Sequence, residues 1–83
     1  MKKNLNVLGL DMEATAANIG LAIDNSGYSD KEIAEMMGLT VQSINKWRHG
    51  YCIPDMENLF ILSRILEVPV DDFLVPREGR TVA

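Results

Sequence analysis

Four polar side chains, Gln42, Asn45, Lys46 and His49, recur within eight residues at intervals of three and four. At about 100° per residue they share one face of a helix, opposite Ile44 and Trp47. Amides, a cation and an imidazole side by side suit the edges of bases and the phosphates beside them: Gln and Asn pair with adenine, and Lys reaches guanine or the backbone. Gln42, Asn45 and Lys46 are therefore the expected base-edge contacts, with Ser43 and His49 flanking them. Lys31, Arg48 and Tyr51, together with backbone N–H groups near Ser29 and Gly50, are the expected phosphate contacts.

The charge balance at first opposes that reading. Eight Lys and Arg against twelve Asp and Glu leave a formal net charge of −4, whereas phosphate neutralisation by cations supplies most non-specific affinity for nucleic acid. The distribution matters more than the sum. Between Met36 and Pro54 there is no Asp or Glu, while Lys46, Arg48 and His49 all lie there; the acids crowd into Asp11 to Glu35 and Asp55 to Glu78. An electropositive island on an acidic body favours a specific, modest-affinity contact over indiscriminate coating.

Other chemistries find little material. With a single His, no Ser-His-Asp or Cys-His set and no Gly-rich phosphate loop, the chain is not expected to be an enzyme. His49 and Cys52 are two ligands at most, too few for a zinc site, so no metal or other cofactor and no small-molecule substrate is expected. Cys52 reads as a small buried hydrophobe, and the adjacent acids Asp71 and Asp72 as a helix-capping device.

The elements that must carry the polar face follow from local signals. Ser29 is a natural N-cap, and Asp30 and Glu32 place acid in the first turn, where the free N–H groups favour it. Ile33, Ala34 and Met37 form an apolar stripe that Gly38 ends. Thr40 is a second N-cap, after which Val41, Ile44 and Trp47 return at helical spacing until Gly50. Two short helices joined by a turn of about three residues have the geometry of a helix-turn-helix.

That stretch resembles the helix-turn-helix of the Cro/lambda-repressor-like family, also called XRE-like. The resemblance is carried by Ser29, Glu32-Ile33-Ala34, Gly38-Leu39-Thr40, Ser43-Ile44, Trp47, Gly50 and Pro54, then Leu59, Leu62, Leu66-Glu67-Val68, Asp71-Asp72 and Leu74. It implies an all-α fold, a compact five-helix lambda-repressor-like DNA-binding domain. Its helix-turn-helix is formed by helices 2 and 3, and the third helix, roughly Val41 to His49, enters the major groove. It implies a transcriptional regulator of bacterial or phage type, a repressor by expectation, bound to double-stranded DNA. One such domain covers about half an operator, so a homodimer on a two-fold symmetric site is expected.

The chain departs from the family at two places. No Lys or Arg lies between Lys3 and Lys31, whereas relatives place an Arg near the end of the first helix, paired with a Glu late in the third. Arg48 occupies that Glu position, and one compensation is a swapped pair, Arg48 with Asp24. Asp30 stands where the family often has a phosphate-binding Gln, and its carboxylate would repel a phosphate; N–H groups at the start of the helix and Lys31 are the remaining donors. These features motivate an alternative of another class, a protein-interaction module such as an antitoxin or inhibitor that keeps the fold with weak or no DNA binding.

At 83 residues the chain is expected to be one domain over 12–75, with an N-terminal arm at 1–11 and a flexible tail at 76–83. Leu5, Val7, Leu8 and Leu10 leave the arm open between a loose segment, a short strand and a hydrophobic patch for a partner. The first helix is expected from Met12 to Asn25; Ile19, Ala22, Ile23 and Ser26 make its inner face, while Ala14, Ala17 and Leu21 imply a second partner surface, either the arm or another subunit. A fourth helix from Asp55 to Glu67 carries Leu59, Leu62, Ile65 and Leu66 inward, with Phe60 and Ile61 either under the arm or at a dimer interface. No apolar run approaches the roughly 20 residues that span a bilayer, no signal peptide is evident and Cys52 has no partner, so a cytoplasmic location is expected.

Overall fold

The computed structural model describes residues 9–77. Five helices follow in order: α1 over Met12–Ser26, α2 over Asp30–Met37, α3 over Val41–Arg48, α4 over Met56–Leu66 and α5 over Val70–Phe73. The all-α, five-helix expectation is met.

Four of the five starts are set by one polar side chain folding back on an open N–H. Asp11 accepts from Ala14, Thr40 from Ser43 and Asp55 from Asn58, at 2.9–3.2 Å. Ser29 goes further. Its hydroxyl accepts from Glu32 N–H at 3.0 Å while its own N–H donates to the Glu32 carboxylate at 2.8 Å, a complete capping box. At the other end of α2, Gly38 takes φ +70°, the left-handed conformation that costs glycine nothing and lets the chain reverse into α3.

One apolar residue or pair from each helix meets in the core: Ile19 and Ile23, Ile33 and Ala34, Ile44 and Trp47, Leu62, and Phe73. Since α1 packs against α3, α4 and α5, it is the post around which the helix-turn-helix is held. Leu59 and Leu66 rest partly buried against this core, as expected of α4.

The two ends of the described chain are joined. Asp11 N–H donates to Val75 carbonyl and Arg77 N–H to Gly9 carbonyl, each at 2.8 Å, around an antiparallel bridge between Leu10 and Pro76. The hydroxyl of Thr15, fully buried on α1, accepts from Val75 N–H at 3.0 Å and locks the closure to the helix. Residues 9–11 and 76–77, assigned by sequence to an arm and a tail, are thus hydrogen-bonded to each other. The readings made for Leu5, Val7 and Leu8 lie outside the described residues.

One packing expectation is corrected, and two remain with partners outside the described residues. Ala17 and Leu21 on α1 are exposed among the described residues, Leu21 at 57%, and the arm or second subunit expected to cover them lies outside these residues. Phe60 is 53% exposed, with the Arg64 guanidinium 5.6 Å from its ring centroid, and the choice between arm and dimer interface lies outside the described residues. Cys52 is exposed, since the loop after α3 turns it outward while Ile53 and Pro54 are the residues that pack inward.

Candidate nucleic-acid interface

The turn at Gly38 and the wedge of Ile44 and Trp47 into the core leave the opposite face of α3 to solvent. Gln42, Lys46 and His49 are all exposed on it, at i, i+4 and i+7. Lys31 at the start of α2 and Tyr51 after α3 are exposed as well, Tyr51 at 77%, with its ring centroid 6.1 Å from that of His49. Five of the ten residues singled out from the sequence thus combine exposure with a side chain not tied into the fold: three on the helix face and two flanking it.

The other five are committed within the fold, each for an identifiable reason. Ser43 is half-buried, and its hydroxyl lies 3.1 Å from Thr40 Oγ1, within the cap of its own helix. The Ser29 N–H belongs to the capping box, so it is not a free phosphate donor. Gly50 N–H donates to Trp47 carbonyl at 3.2 Å, and Tyr51 N–H to Lys46 carbonyl at 2.9 Å, so the backbone that closes α3 satisfies itself. Open donors remain at the start of α2, where Asp30 and Lys31 N–H have no helical acceptor four residues back.

Arg48 is the most heavily tied of the five. Instead of reaching outward to phosphate, its guanidinium donates through Nε to Asp30 Oδ1 at 2.7 Å, through Nη1 to Asp24, and through Nη2 to the Tyr28 carbonyl at 3.1 Å. The swapped pair with Asp24 is present, and it is the weaker half of the arrangement. Asp24 is 56% exposed and Asp30 18%, so solvent screens the first ion pair and much less the second. Asn45 completes the cluster, donating from Nδ2 to Asp30 Oδ2 at 3.2 Å. Asp30 therefore holds Arg48 on one oxygen and Asn45 on the other.

Burial pushes the Asp30 carboxyl up, but the hydrogen bonds from Arg48 and Asn45 outweigh it and hold the group below its ordinary 3.8. The hydrogen bond to Asp30 in turn raises Arg48 above its ordinary value. With the folded carboxyl depressed, the unfolded chain binds the extra proton, so the stability that Asp30 supplies is complete above about pH 4 and is lost as pH falls through the folded value. Thermal melts should accordingly show the advantage of the natural chain over Asp30→Asn narrowing below pH 4. An advantage that stays constant down to pH 2.5 would rule out the ionised carboxylate as its source.

The arrangement can offer hydrogen-bond donors, acceptors and positive charge along one helix. Among the described residues no three His, Cys, Asp or Glu side chains converge as a metal ion would need, and no helix is long and apolar enough to cross a membrane.

A helix-turn-helix family model matches residues 19–73. Over 50 residues the chain is 38% identical to the SPbeta prophage-derived uncharacterized HTH-type transcriptional regulator YonR of Bacillus subtilis (strain 168). That alignment covers 60% of this chain and 46% of the relative, so the match spans about half of that protein's length. The solution structure of the SOS-response transcriptional repressor LexA from Eubacterium rectale superposes on 100% of this chain and 83% of its own, with a TM-score of 0.68 and 22% identity, a likeness of fold.

Proposed function

The chain belongs to the helix-turn-helix family, whose model takes in both helices of the motif and the core around them, and on that premise we propose a DNA-binding transcriptional regulator that docks α3 in the major groove. The observation that carries the reading is the exposed face of Gln42, Lys46 and His49, set in the acid-free stretch from Met36 to Pro54. Gln42 and Lys46 address base edges and His49 extends the contact at the end of the helix. Lys31, Tyr51 and the open N–H groups of α2 hold phosphates on either side.

With Arg48 neutralised by Asp24 and Asp30, the cations left on this side are Lys31 and Lys46, few for a protein of net charge −4. Affinity from one subunit is therefore modest, and the protein acts as a homodimer on a two-fold symmetric operator, in the cytoplasm, repressing by occupancy. A regulator working in this way needs no catalytic group. The alternative of a fold kept only for protein partners is not favoured by the match to the family or to a relative named as a regulator.

Selection of bound duplexes from a random pool at two salt concentrations tests the proposal: a palindromic motif whose affinity falls steeply with salt is expected, and no enrichment at low salt refutes it. Within that motif, Gln42→Ala should weaken specific binding by about 1–3 kcal/mol and relax the preference at its own position. Lys31→Ala should weaken all sequences alike and lower the salt slope by about 0.9. Equal losses on specific and random DNA for Gln42→Ala would remove it from the base readers.

A further inference from the structure

The bond between Asp30 and Asn45 fixes which end of the Asn45 amide is turned away from α2. An ionised carboxylate only accepts hydrogen bonds, so the group that faces Asp30 Oδ2 at 3.2 Å must be the amide nitrogen, and the carbonyl oxygen Oδ1 is left on the far side. The carboxylate cannot rotate to allow another arrangement, because its Oδ1 is held by Arg48 Nε at 2.7 Å and Arg48 is itself held by Asp24 and the Tyr28 carbonyl. Asn45 is half-buried and shares the α3 face of Gln42 and His49, three residues after one and four before the other.

We propose that Asp30 is a specificity-positioning residue: by pinning the Asn45 amide with its oxygen outward, it makes Asn45 a reader of bases that donate in the major groove. Adenine and cytosine present an exocyclic amine there, whereas guanine and thymine present only acceptors along the edge that Asn45 would meet. A free asparagine can turn over and serve either class. One pinned by a carboxylate cannot, so the column of the operator facing Asn45 is adenine or cytosine. The inference rests on the DNA-reading function proposed above and adds to it a side chain that acts only through a base reader.

The chemistry predicts a reversal that a merely structural role would not produce. In Asp30→Asn, Arg48 Nε remains a donor and takes the carbonyl oxygen of the new amide, which turns its NH2 toward Asn45. Asn45 must then present its own oxygen inward and its NH2 outward, and the favoured base at that column becomes guanine or thymine.

The experiment is selection from a random duplex pool with the full chain, Asn45→Ala, Asp30→Ala and Asp30→Asn, followed by anisotropy titration of the four single-base variants at the affected column. The natural chain should prefer adenine or cytosine there by about tenfold, Asn45→Ala and Asp30→Ala should flatten that column alone, and Asp30→Asn should invert it. Asp30→Asn preserves shape and the Arg48 contact, so it decides the matter even where Asp30→Ala fails to fold. If the natural chain enriches a motif but the column keeps its preference in both Asp30 variants, or no column responds to Asn45→Ala, the positioning role is overturned while DNA reading stands. If the natural chain enriches nothing, the underlying function falls and the inference with it.

Discussion

Gly20→Ala should destabilise the protein by about 1–3 kcal/mol, and Gly20→Val should leave little folded chain at all, although either residue would ordinarily be compatible with a helix. In the middle of an exposed helix, replacing glycine by alanine gains about 0.5–1 kcal/mol. Here a Cβ added at position 20 would sit 2.4 Å from the Arg48 carbonyl oxygen, 3.2 Å from its carbon and 3.4 Å from the Trp47 carbonyl oxygen. Those are backbone atoms at the end of α3, and they cannot swing aside as the tip of a side chain could. Relief requires α1 and α3 to separate, which would loosen the seal of Ile19, Ile23, Ile44 and Trp47. For a domain with a total stability of about 5–15 kcal/mol the loss is severe. Leu21→Ala, one position along on the exposed side, is the control and should change stability by less than about 0.5 kcal/mol. Urea denaturation of the three variants measures it; a Gly20→Ala chain as stable as the natural one would mean that the two backbones are not in contact at this crossing. The consequence for function is separation of α3 from its post, so DNA affinity of Gly20→Ala should fall with no residue of the exposed α3 face altered.

The reasons that Gly20 was not legible in the sequence while Gly38 was are physical. Gly38 stands between an apolar stripe and an N-cap, so its neighbours within three residues already say that a helix must stop. Gly20 lies inside a continuous helical pattern, and its purpose is a contact with residues 27 and 28 positions later, which no local pattern records. The caps at Ser29 and Thr40 were legible for the same local reason as Gly38, and with them the helix-turn-helix and its outward face. Thr15 and Cys52 show the opposite case. A threonine buried to bond Val75, and a cysteine turned outward, depend on how the chain closes on itself and on one loop's direction. Asp30 combines both cases: its place in the first turn of α2 was legible, but a carboxylate expected to repel phosphate is instead bound by Arg48 and Asn45, side chains that arrive from α3.

Arg48→Glu should cost about 3 kcal/mol or more, because it removes charge-assisted hydrogen bonds and sets a third carboxylate beside Asp24 and Asp30. The loss is unevenly divided. The Asp24 pair is largely in solvent and supplies about 0.2–1 kcal/mol, so Asp24→Ala should be mild. The Asp30 bond at 2.7 Å is mostly shielded and joins the start of α2 to the end of α3, so it dominates. Restoring charge balance by Asp24→Arg in the Arg48→Glu background should therefore recover only part of the stability, since Asp30 still faces a carboxylate. Adding Asp30→Gln should recover more, and denaturation midpoints along that series apportion the cluster. A single Arg48→Glu variant within 0.5 kcal/mol of the natural chain would show that the guanidinium does not hold the helices together. The neutral Arg48→Met then separates the two roles the residue could have on DNA. A guanidinium bound to phosphate would, once removed, lower the salt dependence of binding by about 0.9 in log–log slope. A guanidinium turned inward leaves that slope unchanged while stability falls, and this second outcome is the one expected from a side chain already occupied by Asp24, Asp30 and the Tyr28 carbonyl.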